Sequence, residues 1–187
     1  MSKTEKNKML KDNDPLLLYD QGLLSPIQCA SLIKAKELIA RTRVWSYSRK
    51  EKPTVCWFWG STGTGKTRTA IEIAKDSGLG HWMSHSEKLF WFDGYLGQEY
   101  AIIDDFRRHM CTFEYFLRLI DRNEMQVQVK GGFVNWIPKV IIITCPVDPQ
   151  TAYTYFDFRT NEQRTWDNFE QLMRRIDDVI CFDDLTN

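Results

Sequence analysis

Apolar residues along this chain fall into short runs separated by amphipathic stretches, a rhythm that predicts alternating strands and helices. Val55-Cys56-Trp57-Phe58-Trp59 has the length and composition of a strand. Tyr100-Ala101-Ile102-Ile103 and Val140-Ile141-Ile142-Ile143 are near-continuous apolar runs, as expected of central strands covered on both faces. Between these runs, Arg68 to Lys75 reads as a helix, and Thr112 to Asp121 sets Phe113, Phe116, Leu117 and Ile120 on one helical face. Met125 to Lys130 alternates, and Gly131-Gly132 followed by Phe133 to Ile137 completes a hairpin signal. Thr165 to Ile176 predicts a last amphipathic helix and Val179 to Phe182 a last short strand. The sum is an α/β fold, a helix-covered and mostly parallel sheet.

The first residues lack that rhythm. Residues 1–14 carry Lys3, Lys6, Lys8 and Lys11 and are expected to form a flexible tail. Ser25-Pro26 resembles an N-cap with proline at the first helical position, opening a helix to about Ala40 with Ile27, Ala30, Ile33, Leu38 and Ile39 as its apolar positions. Residues 15–50 are thus expected to be a helical oligomerisation region, and residues 51–187 the main domain. Arg41 to Lys52 interleaves cations and aromatics; a solvated linker is favoured over a nucleic-acid contact.

Composition narrows the class without naming a chemistry. The 187 residues are 43% apolar and 27% charged with net charge zero, so any nucleic-acid contact must come from local basic patches. The five cysteines are scattered without a CxxC pair, against a disulfide framework or zinc site and in favour of a reducing compartment. No run reaches the length of a membrane span and no signal peptide opens the chain, so a soluble intracellular protein without membrane partners is expected.

The chemistry enters at Gly60-Ser61-Thr62-Gly63-Thr64-Gly65-Lys66-Thr67, a GxxxxGK pattern closed by threonine between the first strand and its helix. Its glycines let backbone N–H groups turn inward on a phosphate at a helix N-terminus. Lys66 reaches the β- and γ-phosphates and Thr67 is placed to ligate Mg²⁺. ATP with Mg²⁺ is the implied cofactor pair. Asp104-Asp105 then ends the Tyr100–Ile103 strand, where a buried parallel strand would deliver carboxylates to that metal: Asp104 for Mg²⁺, Asp105 to orient or deprotonate the attacking water.

Several stretches together resemble a known family. Trp91 to Glu99 running into Ile102-Ile103-Asp104-Asp105-Phe106, then Leu117 to Arg122, Val127 to Gly132 and Glu170 to Ile176, are similar in order and spacing to the superfamily 3 helicase domain of circovirus and cyclovirus replication initiator (Rep) proteins. The resemblance covers about residues 53–183 and implies a P-loop ATPase that forms a ring, hexameric in that family, and moves on single-stranded DNA. It implies an ATP-dependent DNA helicase in rolling-circle replication of a small circular single-stranded DNA virus or related element, located in the host nucleus for a eukaryotic virus. Lys130, Gly131 and Phe133 match a hairpin facing the ring's channel, as grips for phosphate and base. Arg174 and Arg175 match paired arginines that are candidates for a finger into a neighbour's ATP site, with Arg159 and Arg164 as weaker rivals.

Two departures qualify the resemblance. The family's third motif ends in Ile-Thr-Ser-Asn, whose amide senses the γ-phosphate; here the stretch is Ile143-Thr144-Cys145-Pro146, and Pro146 has neither side-chain amide nor N–H. Thr144, Cys145 and Asp148 are the local candidates for that sensor position, and slow turnover is an expectation. A nucleotide-dependent DNA-binding scaffold and an RNA helicase are the alternative functions. Complete Rep proteins also carry a nicking endonuclease, whose histidine and tyrosine motifs His81, His85, His109 and the tyrosines do not form. The chain therefore reads as the helicase part alone, with a nicking domain or protein as an expected partner.

Overall fold

The computed structural model describes residues 2–45, 51–85, 87–165 and 169–183, with backbone only at residues 40–45 and 156. Of Arg41 to Lys52, expected as a linker after a helix ending near Ala40, residues 41–45 instead continue that helix (Pro26–Trp45), and residues 46–50 lie outside the described set. The chain divides into two compact units, residues 1–46 and 47–187.

The first unit is three helices: α1 (Lys3–Asp12), α2 (Pro15–Asp20) and α3 (Pro26–Trp45). α1 replaces the expected tail. Ser2 and Glu5 form a reciprocal capping box, and the ammonium of Lys36 on α3 donates to the carbonyls of Lys11 (3.0 Å) and Asn13 (2.5 Å) at the other end. Capping and a cation at the C-terminus stabilise a run of helix formers that buries no side chain of its own. Ser25 caps α3 as expected, exchanging hydrogen bonds with Gln28.

The second unit begins with β1 (Thr54–Trp59), α4 (Lys66–Asp76), β2 (His81–Met83), β3 (Tyr100–Ile103) and α5 (Phe113–Leu119). It continues through the hairpin β4 (Gln126–Val129) and β5 (Gly132–Asn135) to β6 (Val140–Cys145) and α6 (Pro149–Ala152). A second hairpin, β7 (Thr154–Asp157) and β8 (Glu162–Thr165), leads to α7 (Phe169–Met173) and β9 (Asp178–Cys181). The five-stranded sheet has the order β2-β3-β6-β1-β9, with every pair parallel. The predicted α/β fold with a parallel central sheet of the P-loop type is therefore what the chain adopts.

Both faces of the sheet's centre are covered, which is why β3 and β6 are near-continuously apolar. Val55, Trp57, Ala101, Ile103, Ile141 and Ile143 point to the face that α5 and the β4–β5 hairpin cover. Phe58, Ile102 and Ile142 alternate to the other face, against Ala70 and Ala74 of α4. Trp57, Trp82 and Trp136 are buried, and their indole N–H groups donate to the carbonyls of Val147, Asp93 and Leu119 respectively. Each large ring thus gains burial without leaving its polar edge unpaired.

Two elements of the second unit also differ from expectation. The last helix is shorter than Thr165–Ile176: Thr165 belongs to β8, and residues 166–168 lie outside the described set. The β7–β8 hairpin has no hydrophobic alternation to announce it, because all of β8 is exposed.

Candidate active site

β1 ends where the glycine loop begins. Gly60 leaves the strand at φ +140° and Gly65 precedes α4 at φ +88°, both in the region that favours glycine. α4 starts at Lys66, so its unpaired N-terminal N–H groups open on the loop. Lys66 Nζ donates to the carbonyls of Gly60 (2.8 Å) and Ser61 (2.6 Å) and lies 3.3 Å from Thr64 Oγ1. The ammonium is thus parked on the loop's own rim, within a side chain's swing of any phosphate the loop receives.

Because β3 and β1 flank β6, the end of β3 faces the start of α4 across one strand. The Thr67 hydroxyl donates to Asp104 Oδ1 at 2.6 Å, and the Thr144 hydroxyl from β6 donates to the same oxygen at 2.8 Å. Thr144 Oγ1 also accepts from the N–H of Asp105 (2.8 Å), while Ser84 Oγ accepts from the N–H of Asp104 (2.9 Å). Both backbone donors past the end of β3 are therefore held by hydroxyls from the two neighbouring strands' ends. Asp105 sits at φ +47°, its exposed carboxylate 2.9 Å from Arg107 Nη1. A hydroxyl beside a carboxylate, all oxygen donors, suits a hard divalent cation, so Thr67 and Asp104 fit Mg²⁺. Ser84 and Arg107 had no signal in the sequence; only the sheet order brings Ser84 to the acidic pair.

The sensor stretch resolves into unequal parts. Thr144 is buried at the acidic pair. Cys145 is buried on the opposite face, donating to the Phe106 carbonyl at 3.4 Å, and burial pushes its thiol up to about 11. Asp148 caps α6: it accepts from the N–H groups of Gln150 and Thr151 and from the Thr151 hydroxyl. Burial opposes its ionisation, but those hydrogen bonds outweigh it and hold the carboxyl below the ordinary range. Of the three candidates, Thr144 alone touches the acidic pair.

The β4–β5 hairpin has the expected register, Val129 opposite Gly132, with Lys130-Gly131 as its turn and Gly131 at φ +89°. Asp93 secures that turn, accepting from the Lys130 N–H at 2.7 Å and lying 3.5 Å from its ammonium. Phe133 is exposed at the tip end of β5. The paired arginines divide. Arg175 grips Asp121 Oδ2 through Nη2 (2.6 Å) and Nε (3.1 Å) and donates to the Gln171 carbonyl (2.6 Å), whereas Arg174 is exposed. Arg175 is thereby committed to fixing α7 against the end of α5. The rival Arg164 lies 3.5 Å from Asp157 within its own hairpin, and Arg159 is exposed at that hairpin's tip.

Comparison with known proteins agrees with this geometry. Residues 56–147 match the RNA helicase family. The chain is 35% identical over 112 residues to the replication-associated protein of Human associated cyclovirus 1. It is 38% identical over 110 residues to that of Beak and feather disease virus, and 32% over 123 to that of Goose circovirus. These matches cover 59%, 59% and 65% of this chain but only 39%, 36% and 38% of the relatives, so the chain spans under two fifths of their length. Residues 56–147 of this chain are thus similar to the RNA helicase family, and a somewhat longer stretch is similar to the replication-associated proteins of circoviruses and a cyclovirus.

Proposed function

We propose that this chain is the ATP-hydrolysing motor of a DNA replication protein, a ring-forming helicase that moves on single-stranded DNA. The convergence of the Thr67 and Thr144 hydroxyls on one carboxylate oxygen of Asp104 beside the glycine loop carries the proposal. Gly60 to Thr67 would cradle the triphosphate, with Lys66 leaving the Gly60 and Ser61 carbonyls for phosphate oxygens. Mg²⁺ held by Thr67 and Asp104 would neutralise charge on the phosphates. Asp105 would take a proton from a water whose oxygen bonds to the γ-phosphorus, while the bond from that phosphorus to the β-γ bridging oxygen breaks with its electrons leaving on ADP. Arg174, exposed near the end of α7, is the better placed of the two arginines to reach a neighbouring subunit.

Self-association is supported by the first unit, which leaves Leu16, Leu17, Leu23, Ile27, Leu38 and Ile39 exposed and buries only Leu18 and Cys29 among the described side chains. Among the described residues no helix is long and apolar enough to cross a membrane. Expected partners are single-stranded DNA, further copies of the chain and a nicking endonuclease domain or protein, in the host nucleus. ATPase activity measured with and without single-stranded DNA tests the proposal, with Lys66→Ala as control. DNA-stimulated hydrolysis abolished by K66A supports it, and hydrolysis indifferent to K66A removes it. Strand displacement then separates a helicase from a plain ATPase.

A second reading has its own observation. With Asp148 spent on capping α6 and Pro146 lacking an amide, Thr144 is left alone at the sensor position, which favours slow turnover in a nucleotide-dependent DNA-binding scaffold. Pro146→Asn should then raise turnover. Competition between DNA and RNA strands of equal length decides the polymer, since phosphate grips and stacking do not separate them.

A further inference from the structure

The glycine loop has a tether outside its own motif. β9 is an edge strand beside β1, pairing Cys181 with Trp59, and the N–H of Phe182 donates to the Trp59 carbonyl at 2.8 Å. One residue later, Asp183 Oδ1 accepts from the N–H of Ser61 at 2.8 Å. The fit is close. A Cβ added at Gly60 would lie 3.1 Å from Asp183 Oδ1, 3.2 Å from its Cγ and 3.2 Å from its backbone nitrogen. Gly60 thus serves two needs, a left-handed φ and room for Asp183 against the loop.

The carbonyl of the same residue tells what the tether does. The Ser61 carbonyl is held by Lys66 Nζ (2.6 Å) and Thr64 Oγ1 (2.9 Å). When Lys66 leaves for a phosphate, the Ser61 carbonyl loses its charged partner, and the hydrogen bond from the Ser61 N–H to Asp183 still holds the start of the loop. We propose that Asp183 is a positioning residue for nucleotide binding, which keeps the glycine loop in its open, phosphate-ready shape from the end of β9. The inference rests on reading Gly60 to Thr67 as the phosphate loop. The part that matters is the acceptor oxygen, because a second negative charge beside a triphosphate is unfavourable; Asn, which retains an acceptor, should therefore serve.

The test is equilibrium binding of a fluorescent ATP analogue with Mg²⁺, together with ATPase KM and kcat, on the whole chain. Asp183→Ala should weaken binding about tenfold and raise KM by a similar factor, with kcat changed by less than about twofold. Asp183→Asn should recover affinity to within about threefold of the parent, which a residue needed only for its charge would not do. If D183A is too unstable to purify, Asp183→Glu keeps the charge but displaces the carboxylate, and should still weaken binding at least about threefold. Binding by D183A or D183E equal to the parent, or D183N as weak as D183A, overturns the inference. Parent protein that binds no nucleotide, or binds it as well with K66A, overturns the phosphate-loop reading and this inference with it; loss in K66A alone leaves the first reading standing.

Discussion

The two hairpins of the second unit share a form and differ in everything that holds them. β4–β5 sends Val127, Val129 and Val134 into the main core and is followed at once by Trp136, buried among Trp82, Phe92 and Tyr95. Its turn is tied to Asp93, and the indole of Trp136 donates to the Leu119 carbonyl at the end of α5. β7–β8 shows a fully exposed second strand, a tip with Phe158 88% exposed, and ion pairs from Arg164 to Asp157 and Glu162 of the same hairpin. A strand that buries no side chain adds little to the core that holds a hairpin in place. The difference teaches that a strand's alternation in sequence records burial, so the anchored hairpin was legible and the exposed one was not.

The largest expected effect that tests this contrast is at the anchor. Trp136→Ala should cost about 3–5 kcal/mol of unfolding free energy by removing a buried ring and its hydrogen bond, measured by denaturant titration. A loss as small as that of a surface change would mean the hairpin is not rooted in the core.

Next comes the ion pair beside the same root, Asp121 with Arg175. Burial resists ionisation of Asp121, but the Arg175 guanidinium outweighs it and holds the carboxyl below the ordinary range. The folded pKa is thus depressed, so the pair's stabilisation is complete above the unfolded value of about 4 and is lost as pH falls through the folded one. Asp121→Asn should cost about 1–3 kcal/mol at neutral pH and flatten the stability profile in acid, followed by thermal unfolding between those pH values. An unchanged acid slope would remove the pair from the account.

At the exposed tip of the anchored hairpin, Lys130→Ala should leave stability nearly intact but weaken single-stranded DNA binding several-fold and reduce the salt slope by about one. Salt-dependent binding titrations read both. The smallest effect belongs to the exposed hairpin: Phe158→Ala should change the stability of the isolated chain by no more than about 0.5 kcal/mol. A large loss there would show that β7–β8 is anchored after all and would collapse the comparison.

The proposed nucleotide site divides in the same way between what was legible and what was not. The glycine loop and the acidic pair are each a contiguous stretch of sequence where strand meets helix or turn, so the roles proposed for them follow from local chemistry. Their partners do not. Ser84 reaches Asp104 only because β2 lies beside β3, and Asp183 reaches Ser61 only because β9 pairs with β1. Arg174 and Arg175 are adjacent and chemically equal in sequence, yet a carboxylate 54 residues away commits one of them. Asp148, a sensor candidate by position, is taken by the first turn of α6.

By itself, then, the sequence determined the strands that bury both faces, the glycine loop between β1 and α4 and the carboxylates that follow β3. Those are properties of periodicity, glycine freedom and residue type, which act over a few neighbours. The tertiary structure alone decided which hydroxyls secure the acidic pair, which arginine is spent and which residue beyond the motif steadies the loop. Hydrogen bonds act over about 3 Å of space, and only the order of strands in the sheet says which distant residues fall within that reach.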